Sequence, residues 1–153
     1  NGIYWLMEQF YTHDDDYMNT LEGKKLPVPH CIKGTPGHEV IDLLHKDVDR
    51  NVIIPYGHMI DKNTFGSFDL VEKIYMDFGH EDDYSSGEYG EPLEEIILCG
   101  YDLAICVISN ALLLRAARPN TKITIKKDLC GCISKETFDA AICIAKCCQI
   151  DIE

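Results

Sequence analysis

A cysteine that opens a helix is placed to attack a carbonyl, and residues 95–117 set one there. In Glu95-Ile-Ile-Leu-Cys-Gly-Tyr-Asp-Leu-Ala-Ile-Cys106, a short apolar run from Ile96 to Cys99 breaks at Gly100, and a long helix-forming run continues to Ala117. The pattern predicts buried strand, tight turn and helix, with Cys106 at the helix start. The first N–H groups of a helix lack partners within it and carry the positive end of its dipole. They therefore stabilise a thiolate and any oxyanion formed beside it. The competing use of such a residue is as a small buried hydrophobe. Cys99, Cys143 and Cys147 also fall within apolar strand or helix patterns, and the eight cysteines read as reduced and mostly buried. Neither Cys130-Gly-Cys132 nor the adjacent Cys147 and Cys148 has the paired two-residue spacing of a structural zinc site.

The elements that must position this cysteine read as strand alternating with helix. Ile3-Tyr-Trp-Leu-Met7 is a buried strand, and Thr12-His13 with Asp14, Asp15 and Asp16 is the loop leaving it. Residues 20–29 are irregular backbone punctuated by Gly23, Pro27 and Pro29. Glu39 to His45 suggests a short helix, Val52 to Pro55 a brief strand, and a further helix begins at Asp69. Residues 79–92 form an acidic, turn-rich connector without the spacing of a calcium loop. The central helix ends near Arg118-Pro119-Asn120, and Lys122-Ile-Thr-Ile-Lys126 alternates like an exposed-face strand. Ser134 caps a helix whose apolar face is Phe138, Ala141, Ile142 and Ala145, and Gln149 to Glu153 closes as an edge strand. Such alternation predicts a three-layer α/β fold with a mainly parallel sheet.

With 153 residues, 46% of them hydrophobic, the chain fits one domain with a substantial core. A net charge of −12 opposes nucleic acid and anionic membranes as partners, because phosphate binding needs clustered Lys and Arg. No apolar run approaches the roughly 18 residues of a membrane span, and no signal peptide is visible, so a cytoplasmic protein is expected.

The run Gly100-Tyr-Asp-Leu-Ala-Ile-Cys-Val-Ile-Ser-Asn-Ala-Leu112 resembles the nucleophile segment of the isochorismatase-like cysteine hydrolases, which include nicotinamidases and related amidases. Thr12-His13-Asp14, Glu22-Gly-Lys, Leu26-Pro-Val and His30-Cys-Ile-Lys-Gly-Thr-Pro-Gly37 are similar to the loops that line the family's active site. Lys62-Asn-Thr-Phe-Gly-Ser67 resembles its lysine motif, in which the ammonium sits beside the cysteine. The resemblance implies a Rossmann-like three-layer sandwich over residues 1–153, with Cys106 and Lys62 as catalytic residues. It further implies a metal, zinc or another divalent ion, at His13 and His30. The family's aspartate ligand is replaced by Tyr11, so at most two protein ligands and weak binding are expected. A lone lysine is otherwise a solvated surface charge, and the two histidines otherwise hydrogen-bond loop backbone and shape the pocket.

Two departures from the family pattern bear on activity. Leu103 and Ala104 stand where the family usually has Thr-Asp, which gives the nucleophile turn polar support. The strand at Ile3 matches the family's second, so the domain is expected to be N-terminally truncated, without the first strand and the catalytic aspartate in a motif resembling Asp-Met-Gln-Asn-Asp-Phe. Glu8 is the carboxylate in a superficially similar setting. Cleaving an amide requires a group that passes a proton to the leaving amine, so turnover far below about 1 s⁻¹ is expected. Hydrolysis of a small-molecule carboxamide through a thioester is thus the principal expectation, with a noncatalytic binder of the same fold and a thiol sensor as alternatives. The expected partners are the amide substrate and a second copy of the chain.

Overall fold

In the computed structural model, residues 6–39, 57–81 and 93–153 are described. The strand start at Ile3, the helix at 39–45, the strand at 52–55 and most of the 79–92 connector lie outside these residues, as does the side chain of Glu8. The chain divides into two compact units, Asn1–Thr64 and Phe65–Glu153. Every strand pairing in them is parallel, which is the α/β architecture that the alternation of elements predicts.

In the first unit, β1 (Leu6–Tyr11) pairs with β2 (Gly57–Lys62) in a register that sets Tyr11 opposite Lys62. Residues 20–29 differ from the irregular backbone expected, because Thr20 caps a short helix, α1 (Leu21–Lys25), with Oγ1 accepting from Gly23 N at 3.0 Å. Gly23 is required there, since a Cβ would fall 2.1 Å from the Tyr17 carbonyl oxygen. Tyr17 is buried and donates its hydroxyl to Leu26 O at 2.8 Å, which pins both sides of α1. The loop after β1 then returns alongside residues 31–33: His13 N donates to Cys31 O at 2.9 Å and Lys33 N to His13 O at 2.8 Å.

In the second unit, β3 (Glu95–Gly100), β4 (Lys122–Cys130) and β5 (Asp151–Ile152) form a sheet in that order. Among the described residues three α-helices accompany it: α2 (Phe68–Phe78), α3 (Ile108–Ala117) and α4 (Lys135–Cys147). Ser67 and Ser134 cap α2 and α4 by accepting from Leu70 N and Thr137 N. The helix α3 packs on α2, α4 and β4, and Leu103, Ala111, Leu114, Ile123, Ile125, Ala145 and Ile150 are all nearly inaccessible at its contacts or beside them. No helix among the described residues is long and apolar enough to cross a membrane.

Two expectations are corrected in this unit. The run at Lys122 is the middle strand of its sheet, not an exposed-face strand: Ile123, Thr124 and Ile125 point alternately to opposite faces and all are buried. The flanking lysines reach solvent from the strand, where Lys122 pairs with Glu95 at 2.8 Å and Lys126 pairs with Glu153. The cysteines are all free, as expected, but they are not mostly buried. Cys99, Cys143 and Cys147 are exposed and the other five half-buried. On α4 the buried line runs through Ala141 and Ala145, one helical turn apart, and Cys143 and Cys147 are each two residues out of phase with it. The edge position of β5 and the apolar line of α4 agree with the sequence pattern.

Candidate active site

The second unit builds its site at the end of β3. Gly100, with φ at 131°, turns the chain in a conformation that L side chains rarely adopt. Residues Leu103–Val107 then make a single π-helical turn before α3, closed by Val107 N donating to Asp102 O at 3.0 Å. Cys106, half-buried, therefore stands in the wide turn that opens the helix rather than in its first regular turn. Its carbonyl accepts from Asn110 Nδ2 at 2.9 Å, and the same buried amide accepts from Ser67 N at 2.9 Å. Asn110 thus ties the cysteine turn to the start of α2.

Asp102 supplies the polar support that Leu103 and Ala104 cannot. Its carboxylate is only 3% exposed and accepts from Ala104 N at 2.6 Å, Ile133 N at 2.7 Å and the Cys132 thiol at 3.2 Å. One side chain so fixes the turn and anchors it to the segment after β4, where Leu103 N also donates to Gly131 O at 2.8 Å. Asp102→Ala is expected to destabilise the protein by about 1–3 kcal/mol, because two part-buried N–H groups lose a charged acceptor. Asp102→Asn, which keeps one acceptor oxygen, should lose less. Urea denaturation checks both; an unchanged midpoint for the alanine variant would contradict the assignment.

The first unit gathers a second set of groups. His13, 3% exposed, places Nε2 3.5 Å from Glu22 Oε2, and His30 places Nε2 3.4 Å from Glu22 Oε1. Each of the three residues offers one ligand atom, and these atoms lie within 4.8 Å of one another. Burial holds the His13 imidazole below its ordinary pKa, against the pull of Glu22, so the ring is neutral at pH 7 as a metal ligand must be. His30 donates Nδ1–H to Val28 O at 2.9 Å, which fixes the orientation of its ring. His13 Nε2 is buried without a hydrogen-bond partner among the described residues. A divalent cation would satisfy that atom, so these residues fit a metal of the zinc type.

The expected pair His13 and His30 is thus brought together, and Glu22 stands beside it as a third group that could hold a metal ion. It escaped the sequence reading because the loop that returns it to the histidines has no fixed ligand spacing. Lys62, in the same unit, is 7% exposed, so it is no solvated surface charge. Its Nζ donates to Thr64 O at 2.9 Å and lies 4.6 Å from the centre of the Tyr11 ring. Tyr11 in turn donates its hydroxyl to Glu22.

No family model and no curated protein matches the chain. Solved structures do match it over nearly its whole length. Nicotinamidase/pyrazinamidase from Bacillus subtilis superposes with a TM-score of 0.68 at 20% identity, over 97% of this chain and 74% of that one. The chain has the isochorismatase-like fold. An isochorismatase-like hydrolase from Alkaliphilus metalliredigens gives 0.66 at 18% identity, over 97% of this chain and 68% of that one. Pyrazinamidase of Pyrococcus horikoshii, solved in complex with zinc, gives 0.66 at 17% identity, over 97% of this chain and 74% of that one.

Proposed function

We propose that the chain is a cysteine hydrolase that cleaves the C–N bond of a small carboxamide through a thioester. The observation that carries this reading is the construction of the Cys106 turn within an isochorismatase-like fold. Within residues 102–105, the N–H groups of Leu103, Ala104 and Ile105 are committed to Gly131 O, the Asp102 carboxylate and Asp102 O. The Asp102 N–H and the Cys106 N–H are our candidates for the donors that hold an oxyanion. The Cys106 thiolate attacks the carbonyl carbon, the C–N bond breaks as the departing amine takes a proton from water, and the hydroxide so formed cleaves the thioester to release the acid and return the thiolate. Lys62 supplies positive charge that favours the thiolate and stabilises negative charge as it develops. His13 and His30 hold a divalent metal, which when bound would orient a substrate ring nitrogen or a water molecule.

We take residues 1–153 as one hydrolase domain, because the shared fold spans 97% of the chain. Eight free thiols are the state that a reducing cytoplasm maintains. The noncatalytic reading drew on Leu103 and Ala104, and Asp102 removes that part of its support. The test is prolonged incubation with nicotinamide and several aliphatic amides while ammonia is measured, for the parent and for Cys106→Ala. Slow release that the substitution eliminates is expected. Equal release by both proteins would refute a cysteine mechanism, and no release from any amide would favour a binding protein.

A further inference from the structure

The buried residues of α3 are Ile108, Ala111 and Leu114, all apolar, and one amide, Asn110, which is 5% exposed. Asparagine is a poorer helix former than alanine or leucine, and a buried amide costs stability unless its polar atoms find partners. We propose that Asn110 is a positioning residue for the nucleophile: its amide holds the Cys106 peptide against the backbone of residues 65–67 and so fixes where the thiol stands. The inference rests on Cys106 as the nucleophile and adds to it the group that holds the cysteine turn in place.

Both ends of the amide are used. Oδ1 accepts from Ser67 N at 2.9 Å, while Nδ2 donates to Cys106 O at 2.9 Å and to Phe65 O at 3.3 Å. Exchanging the oxygen and the nitrogen would set N–H against N–H and an oxygen against two carbonyls, so the network admits one orientation. A single nitrogen bonds both carbonyls, which brings the Phe65 backbone beside the nucleophile. Ser67 is 3% exposed, so its N–H needs the acceptor that Asn110 supplies. Its hydroxyl meanwhile caps α2 by accepting from Leu70 N at 3.3 Å. The cysteine turn, residues 65–67 and the start of α2 therefore meet at one side chain.

Gly66 supplies an independent observation. A Cβ there would fall 2.6 Å from Leu113 Cδ1 and 3.5 Å from Ser109 Cβ, so the backbone at 66 lies directly on α3, and the short amide of Asn110 can reach the residues on both sides of it. The nucleophile itself stands in a π-helical turn, a local departure from the regular ladder of a kind frequent at functional sites. A side-chain donor from one turn further along adds a bond to the Cys106 carbonyl that the ladder does not provide. Precision at this point governs rate, because displacing a reacting group by about 1 Å can cost about 10²-fold.

The experiment follows single-turnover acylation of the full chain by the phenyl ester of a pyridine carboxylic acid, read as phenolate release over a range of ester concentrations, with the acyl group located by peptide mapping. Asn110→Asp keeps the acceptor for Ser67 N and loses both donors, whereas Asn110→Ala loses all three bonds. Asn110→Ser retains a hydroxyl that can donate to the carbonyl four residues back, which is that of Cys106. The rate at saturating ester should fall by about 10²-fold in the aspartate and alanine variants and by about 10-fold in the serine variant, while the half-saturating concentration stays within about threefold of the parent. A purely structural amide predicts a lowered melting temperature and parent-like rates well below it. Parent-like acylation of Cys106 in Asn110→Asp would overturn the proposal and leave the nucleophile standing. Should Asn110→Asp fail to fold, the other two variants decide, and equal rates in Asn110→Ser and Asn110→Ala would overturn it. If the parent carries no acyl group on Cys106, the hydrolase reading falls and the proposal with it.

Discussion

Cys106→Ala is expected to lower acyl transfer from a phenyl ester by at least about 10⁴-fold, as loss of a nucleophile does in enzymes that act through one. A phenyl ester is the informative substrate because phenolate departs without needing a proton. Its reaction therefore reports the nucleophile alone, separately from the acid that an amide requires. Three other cysteines, Cys99, Cys143 and Cys147, are exposed and provide an internal comparison. If access alone set reactivity, they would react before half-buried Cys106. The proposed chemistry requires the reverse order, with Cys106 the fastest of the eight towards iodoacetamide at pH 7. Peptide mapping after brief labelling reads that order directly. Faster labelling of the exposed three, together with an undiminished ester reaction in Cys106→Ala, would show that the turn does not activate its cysteine.

Lys62→Met is expected to slow the same acyl transfer by about 10²-fold or more, the usual scale for a group that assists charge or proton movement in the transition state. Methionine keeps most of the side-chain length and the packing against Tyr11 and removes the charge. The competing account is structural: the ammonium donates to Thr64 O and lies over an aromatic ring, interactions that anchor the end of β2. The two accounts differ in what else changes. A catalytic Lys62 predicts a large loss of rate with a melting temperature within a few degrees of the parent. A structural lysine predicts lowered stability and an acylation rate that is restored once the variant is measured well below its melting point.

The parts of this fold that were legible in the sequence are those where a local pattern has one physical solution. An apolar run, a glycine and a long helix-forming run at residues 96–117 gave β3, the turn and α3, and Ser134 marked the start of α4. The π-helical turn at Leu103–Val107 was not legible, because it depends on Asp102 reaching Ile133, 31 positions along the chain. The two apolar residues at 103 and 104 give no sign of polar support, and the acid immediately before them provides it from a position where Asp is a common cap. The charged ends of the middle strand resemble solvent-facing alternation, whereas its place between β3 and β5 and the packing of α3 against it are not visible in its own residues. Exposure of the helix cysteines depends on the phase of α4 about Ala141 and Ala145, which a count of apolar residues does not reveal. Glu22 needed the capped turn at Thr20 and the close approach at Gly23 before it could reach His13 and His30.

The claim that Cys106 is the nucleophile of a hydrolase is tested most directly by locating the acyl group after a short incubation of the whole chain with the phenyl ester of a pyridine carboxylic acid. After an acid quench, the account predicts one acyl group per chain, on the peptide that contains Cys106, removable by hydroxylamine and absent from Cys106→Ala. An acyl group on the peptides of Cys99, Cys143 or Cys147 in place of that one, or ester cleavage with Cys106 unmodified at every time point, would contradict it.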